Sequence, residues 1–204
     1  MPDYSIEQEL HEKGFQYVCG IDEAGRGPLC GPVYAAACIL PDGLFIEGLD
    51  DSKKLTEKKR EELFDVICEN AIAYCIASAS VEEIDELNIL EADLLAMRRA
   101  IDGLSVKADF AIIDGKEGRE DKGFQLPAKA FEKGDAKSMS IAAASVLAKV
   151  ARDRICIDLD REYPQYGIAK HKGYGTKAHM DALRKFGPSP IHRKKFIRFL
   201  DEDK

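Results

Sequence analysis

The residues best suited to chemistry stand in one short stretch, Gly20-Ile21-Asp22-Glu23-Ala24-Gly25-Arg26-Gly27-Pro28-Leu29-Cys30-Gly31-Pro32-Val33. Two adjacent carboxylates there end an apolar run and lead into a loop of three glycines and two prolines, where the backbone is exposed and shaped. Hard oxygen ligands at a strand end suit Mg2+ or Mn2+, which favour carboxylates and water over Cys or His. Alone, an Asp-Glu pair reads more readily as a solvated turn, so the metal reading requires further carboxylates to converge on it. Asp114 is one candidate: it ends the apolar run Phe110-Ala111-Ile112-Ile113 and precedes Gly115, repeating the order of strand, acid and glycine. Asp135, in Lys133-Gly134-Asp135-Ala136-Lys137-Ser138, sits just ahead of an Ala-rich helix. It is either a turn or cap residue for free backbone N–H groups, or part of a helix start that walls a phosphate site beside an acidic cluster.

Two phosphate-binding motifs approach this stretch and fail. A dinucleotide fingerprint needs Gly where Cys30 stands and a helix next, but a strand follows. A P-loop needs Lys-Ser or Lys-Thr after Gly25, and Arg26-Gly27 is found instead.

The elements that must position these acids can be read from hydrophobic periodicity. Residues 15–21 read as a short buried strand and residues 33–40 as a second, closed by the turn Pro41-Asp42-Gly43. Residues 71–78 and 110–113 supply further strands. Leu63, Phe64 and Ile67 predict a helix over 57–70, and Ile84, Leu87, Leu90, Leu94, Met97 and Ile101 predict one over 81–104. A third helix over 140–161 has Ser140 as its cap and a small-residue face of Ile141, Ala144, Ser145 and Ala148, suited to close packing on a sheet. Together they predict a layered α/β fold with a helical, basic C-terminal region.

Composition sets the bounds. The 204 residues, 45% hydrophobic, fit one domain with a sizeable core, residues from about 165 to 204 forming a helical substrate-binding extension. The polar first residues carry no secretory segment and no apolar run is long enough to span a bilayer, so a soluble, cytoplasmic protein is expected, away from membranes. Six cysteines without a C-x-x-C pair read as reduced, mostly buried thiols. A net charge of −7 excludes a protein that coats nucleic acid non-specifically, since such binding rests on Lys and Arg neutralising phosphates. The charge is uneven, however: residues 168–200 hold nine Lys or Arg against the single acid Asp181, and His171, His179 and His192 lie there too.

Six blocks in order resemble the signature of the ribonuclease HII family: Asp22 to Pro28, Asp51-Ser52-Lys53-Lys54-Leu55, Ile113-Asp114-Gly115, Lys133-Gly134-Asp135, Ser140 to Ser145 with Ala148 to Asp153, and His171-Lys172-Gly173-Tyr174-Gly175-Thr176. The resemblance covers residues from about 15 to 200. It implies a ribonuclease H-like fold, a mixed central sheet flanked by helices, with Asp22, Glu23, Asp114 and Asp135 as catalytic metal ligands and Asp22 bridging two divalent ions, Mg2+ or Mn2+. It further implies that the backbone of Gly25-Arg26-Gly27 senses the 2′-hydroxyl of the ribonucleotide before a ribo-to-deoxyribo junction, with Tyr174 packed on the neighbouring sugar. Cys30 departs from the alanine common in such proteins, a change that leaves the acids untouched.

The implied reaction is in-line hydrolysis of the RNA strand of RNA/DNA hybrids, and cutting 5′ of ribonucleotides embedded in duplex DNA, giving 3′-hydroxyl and 5′-phosphate ends. Lys53, Lys54, Lys137, Lys172 and Ser138 are candidates for phosphate contact. No obligate protein partner is evident, a monomer is expected, and the acidic end Asp201-Glu202-Asp203-Lys204 shows no docking motif. Three other readings remain: ribonuclease HIII, disfavoured by Arg26 between the glycines and by the short segment before the first strand; another nuclease of the superfamily; and a non-catalytic hybrid-binding module, disfavoured by the presence of all four acids.

Overall fold

The computed structural model describes residues 1–119 and 122–202, the side chains of 201 and 202 excepted. Five strands, β1 (Val18–Ala24), β2 (Val33–Ile39), β3 (Ala73–Ala79), β4 (Phe110–Asp114) and β5 (Ala128–Phe131), form one sheet in the order β3-β2-β1-β4-β5. β2 runs antiparallel to both β1 and β3, whereas β4 runs parallel to both β1 and β5, giving the expected mixed sheet. The helices are α1 (Ser5–Glu12), α2 (Glu57–Asn70), α3 (Val81–Leu87), α4 (Ile89–Asp102), α5 (Met139–Glu162), α6 (Ile168–His171), α7 (Lys177–Phe186) and α8 (Phe199–Glu202).

Strand alternation divides the core between the two faces of the sheet. Cys19 and Ile21 of β1, Ala35 and Ala37 of β2 and Ile113 of β4 pack against Ile84 of α3 and Leu94 and Met97 of α4. On the other face Ala36 and Cys38 meet Leu63 and Ile67 of α2 and Ala143 and Leu147 of α5. Each large side chain so buried contributes about 1.5–3 kcal/mol. Gly20 faces α5, and a Cβ there would run into the backbone of Ser140, so glycine lets α5 lie directly on β1.

The structure corrects several boundaries. β1 starts at Val18 and continues through Ala24, so Asp22 and Glu23 lie inside the strand rather than beyond its end. The helix expected over 81–104 is two helices. Asn88, at φ 78°, breaks it and caps α4 by accepting from the N–H groups of Leu90 and Glu91. Apolar spacing survives the break because α3 and α4 both cover the same face, which is why periodicity alone missed it. α5 starts at Met139 with Ser138 as its cap, not Ser140. β5 was not foreseen, because Ala128-Lys129-Ala130-Phe131 is too short and mixed to signal a strand.

Beyond α5, Tyr166, Ile168, Leu183 and Ile197 bury a small separate core around Cys30 and Cys156. All six cysteines are free, four of them buried and two half-buried, as expected. Among the described residues no helix is long and apolar enough to cross a membrane.

Candidate active site

The sheet itself brings the acids together. Ile21 of β1 and Ile113 of β4 are partners in parallel register. The next residue on each strand, Asp22 and Asp114, therefore stands beside the other on the face turned towards α5. Asp135 arrives from a single 3-10 turn, Gly134–Ala136, that leads into α5, and the N–H of Gly134 donates to Asp114 Oδ1 at 2.7 Å. One carboxylate oxygen from each of Asp22, Asp114 and Asp135 lies within 4.8 Å of the other two.

The charge of this triad is only partly compensated. Burial, then the charges of Glu23 and Asp114, hold Asp22 well above the usual carboxylate range. Burial also raises Asp114 against the lowering effect of the Gly134 N–H, and burial followed by Asp114 and Asp51 pushes Asp135 up to about 6. Among the described residues Lys53 forms a salt bridge with the triad, its Nζ 3.8 Å from Asp135 Oδ2. Burial alone would lower its pKa, yet Asp22, Asp135 and the other carboxylates around it keep it raised. Three convergent carboxylates whose ionisation is opposed by burial and by neighbouring carboxylates form a donor set that fits a divalent cation.

Glu23 takes a different course, because alternation along β1 sends it to the opposite face. Its Oε2 accepts from Arg119 Nη1 at 3.0 Å and its Oε1 lies 3.5 Å from Arg26 Nη1. Both arginines also reach Asp93, which is fully buried, and burial followed by the charge of Glu23 pushes Asp93 up to about 7. The structure thus joins three of the four expected acids and sets Glu23 beside them in an arginine network.

The glycine loop borders the same cleft. Gly25 holds φ 99°, a conformation other residues rarely adopt. Tyr174 leans on Gly27 so closely that a Cβ there would lie 3.3 Å from the ring. The cleft, about 390 Å³, runs from Asp22 past this loop to Tyr174 and is lined by Lys53 and Lys172. Tyr174 is 49% exposed, which leaves its ring open to the cleft.

Among the phosphate candidates, Lys172 lies 3.4 Å from Glu57, and Lys54 pairs with Asp50 at 3.0 Å. Lys137 is exposed but lies outside the cleft. Ser138 is a correction: it is fully buried, caps α5 at the N–H of Ile141 and donates to Glu7 Oε1 at 2.6 Å, so it presents no surface to a phosphate.

Sequence reasoning missed Lys149 and Asp153, which line the cleft and pair with each other at 2.6 Å from successive turns of α5. Their i,i+4 spacing was the available signal. It also missed Asp93, Arg119 and Arg193. Arg193 stands beside Lys194 and Lys195, and nothing in sequence separates its buried guanidinium from its solvated neighbours.

The solved structures that this fold resembles are ribonucleases H. The ribonuclease H2 from Pyrococcus horikoshii OT3 superposes with a TM-score of 0.77 at 27% identity, over 92% of this chain and 98% of that one. A ribonuclease HII from Archaeoglobus fulgidus, solved as a complex with PCNA, gives 0.70 at 27% identity over 88% and 93%. Bst-RNase HIII in complex with Mn2+ gives 0.66 at 19% identity over 94% and 66%, a likeness of fold alone.

In sequence, the ribonuclease HII of Desulfitobacterium hafniense (strain DSM 10664 / DCB-2) is 55% identical over 93% of this chain and 72% of that protein. Residues 19–199 match the family ribonuclease HII, and the chain belongs to that family.

Proposed function

We propose that this protein is a metal-dependent endonuclease that hydrolyses the RNA strand of RNA/DNA hybrids and cuts 5′ of ribonucleotides embedded in duplex DNA. The observation that carries the reading is that Asp22 and Asp114, joined by Asp135 in one carboxylate cluster, line the same cleft as the Gly25-Arg26-Gly27 loop and the exposed ring of Tyr174. Family membership supports the activity; the roles of individual residues are part of the proposal.

Asp22, Asp114 and Asp135 would hold divalent ions, Mg2+ or Mn2+, with Glu23 joining them once released from Arg119. Such ions supply Lewis-acid activation of water and stabilisation of the leaving 3′-oxygen. The residues of the chain do the rest. The Gly25–Gly27 backbone, free of side chains at the glycines, admits a ribose and tests its 2′-hydroxyl, and Tyr174 packs on the sugar that follows. Lys53 and Lys172 orient the phosphate backbone, and residues from about 165 onward, as a basic extension, steer the duplex to an otherwise acidic protein. The enzyme would work in the cytoplasm as a monomer with no obligate protein partner, although the Archaeoglobus relative was solved with PCNA.

Incubation with Mg2+ of three substrates, a DNA duplex with one ribonucleotide, an all-DNA duplex and a long RNA/DNA hybrid, tests the reading. Cleavage of the first and third but not the second is expected. Cleavage of all-DNA duplex would point to another nuclease of the superfamily, and binding without cleavage to a hybrid-binding module.

A further inference from the structure

The segment after α7 carries two consecutive residues that reach both halves of the recognition surface. Arg193 is fully buried and has no carboxylate partner among the described residues. Its Nε donates to the Gly31 carbonyl at 2.9 Å, Nη1 to those of Arg26 at 3.0 Å and Pro28 at 2.9 Å, and Nη2 to that of Gly25 at 2.6 Å. Burial and the nearby Arg152 pull its pKa down to about 9, which leaves it charged at neutral pH. A buried cation is tolerated where fixed dipoles replace its water, and here four carbonyls of one loop do so. The planar fork matters: a lysine at this position brings one nitrogen with three N–H groups to four carbonyls that the guanidinium meets from three separate nitrogens.

His192 serves the other half. His179 Nδ1 lies 3.0 Å from the Tyr174 carbonyl, which only accepts, so Nδ1 carries the proton. A neutral His179 then offers a bare Nε2 to His192 Nε2, 3.1 Å away. His192 donates there, and its own bare Nδ1 accepts the Ser189 N–H at 3.1 Å. Burial lowers the pKa of both imidazoles, that of His192 to about 4, so both are neutral at pH 7. The Cys30 thiol lies within 4.8 Å of these nitrogens, which gives the cluster the residue types of a metal site. Every ring nitrogen already has a partner, however, and burial pushes the thiol up to about 11, so the hydrogen-bonded relay accounts for the cluster without an ion.

We propose that His192 and Arg193 are positioning residues for ribonucleotide recognition, Arg193 shaping the Gly25–Pro28 backbone and His192, through His179, fixing the Tyr174 carbonyl so that the ring stays on Gly27. The proposal rests on the reading of Gly25, Gly27 and Tyr174 as the ribose-contacting residues. It ties the two arms of that test to neighbouring positions in the chain.

The experiment measures kcat and KM for wild type, Arg193→Lys, His179→Asn and His179→Leu on a duplex with one ribonucleotide and on a long RNA/DNA hybrid, with circular dichroism to confirm folding. Arg193→Lys is expected to raise KM more than it lowers kcat and to reduce the preference for the single ribonucleotide about tenfold. His179→Leu has the same effect, whereas His179→Asn, which keeps a donor for the Tyr174 carbonyl, retains most of the preference. Wild-type preference in both Arg193→Lys and His179→Leu would overturn the proposal. So would stoichiometric zinc in the purified protein that disappears in Cys30→Ala. A wild-type enzyme that cuts hybrids but shows no preference for the single ribonucleotide would overturn the recognition reading beneath it.

Discussion

Asp22 and Asp114 meet because two neighbouring strands run parallel in register, and any sheet built that way would place them together. Gly25, Gly27 and Tyr174 meet by different means: the loop is held by the guanidinium of Arg193, more than 160 positions along the chain, and Tyr174 by the imidazole of His179. The first corner of the cleft is positioned by backbone hydrogen bonds shared with the whole core. The second is joined to the C-terminal segment by a short local backbone bridge, Leu29 and Gly31 donating to the carbonyls of Gly173 and Ile191, and its recognition loop is shaped by a few side chains from that segment. Catalysis and recognition should therefore fail separately, the first through charge and the second through geometry.

The largest effect expected is on the carboxylate corner. Asp22→Asn or Asp114→Asn should leave the fold intact and reduce Mg2+-dependent cleavage by about a thousandfold or more, the several kcal/mol that a bound cation supplies to the transition state. Folded variants that retained full cleavage would remove these acids from the site.

Next comes the sheet that presents them. Gly20→Ala forces a methyl group into the Ser140 backbone, and a loss of about 1–3 kcal/mol in denaturant unfolding is expected as α5 is pushed from β1. An unchanged midpoint would mean that the close approach of helix and strand is not needed.

The pH response of the metal-free protein offers a finer test. Asp135, at about 6 in the folded protein, lies above its unfolded value of about 3.9. The folded state therefore loses stability as pH rises through that window, and the loss is absent below about pH 4, where the group is protonated folded or unfolded. A cation bound to the ionised acids reverses the trend, so the rise in Tm produced by Mg2+ should be larger at about pH 7.5 than at about pH 5. A rise that does not depend on pH would contradict binding at this triad.

The smallest effect concerns Lys53, 3.8 Å from Asp135. Lys53→Ala should weaken duplex binding and reduce the slope of log K against log salt by about one, measured by fluorescence anisotropy.

What could be read from the sequence follows the same division. Asp22, Asp114 and the strands under them were legible because apolar runs ending in an acid mark buried strands, although β1 extends through the acids rather than stopping before them. Ser138, read as a phosphate contact, and the break at Asn88 inside the helix expected over 81–104 show that a cap and a surface polar residue look alike until the backbone geometry is known. Arg193 could not be read at all: in a run of basic residues, composition predicts a solvated face, and only the fold shows which side chain turns inward.

The central claim is that the acids and the glycine loop act on one substrate feature, and mapping the cut on an end-labelled DNA duplex with a single ribonucleotide tests it most directly. A single cut on the 5′ side of the ribonucleotide, leaving a 3′-hydroxyl and a 5′-phosphate and requiring a divalent metal, is predicted. Cuts scattered through the DNA, or a cut on the 3′ side of the ribonucleotide, would contradict it.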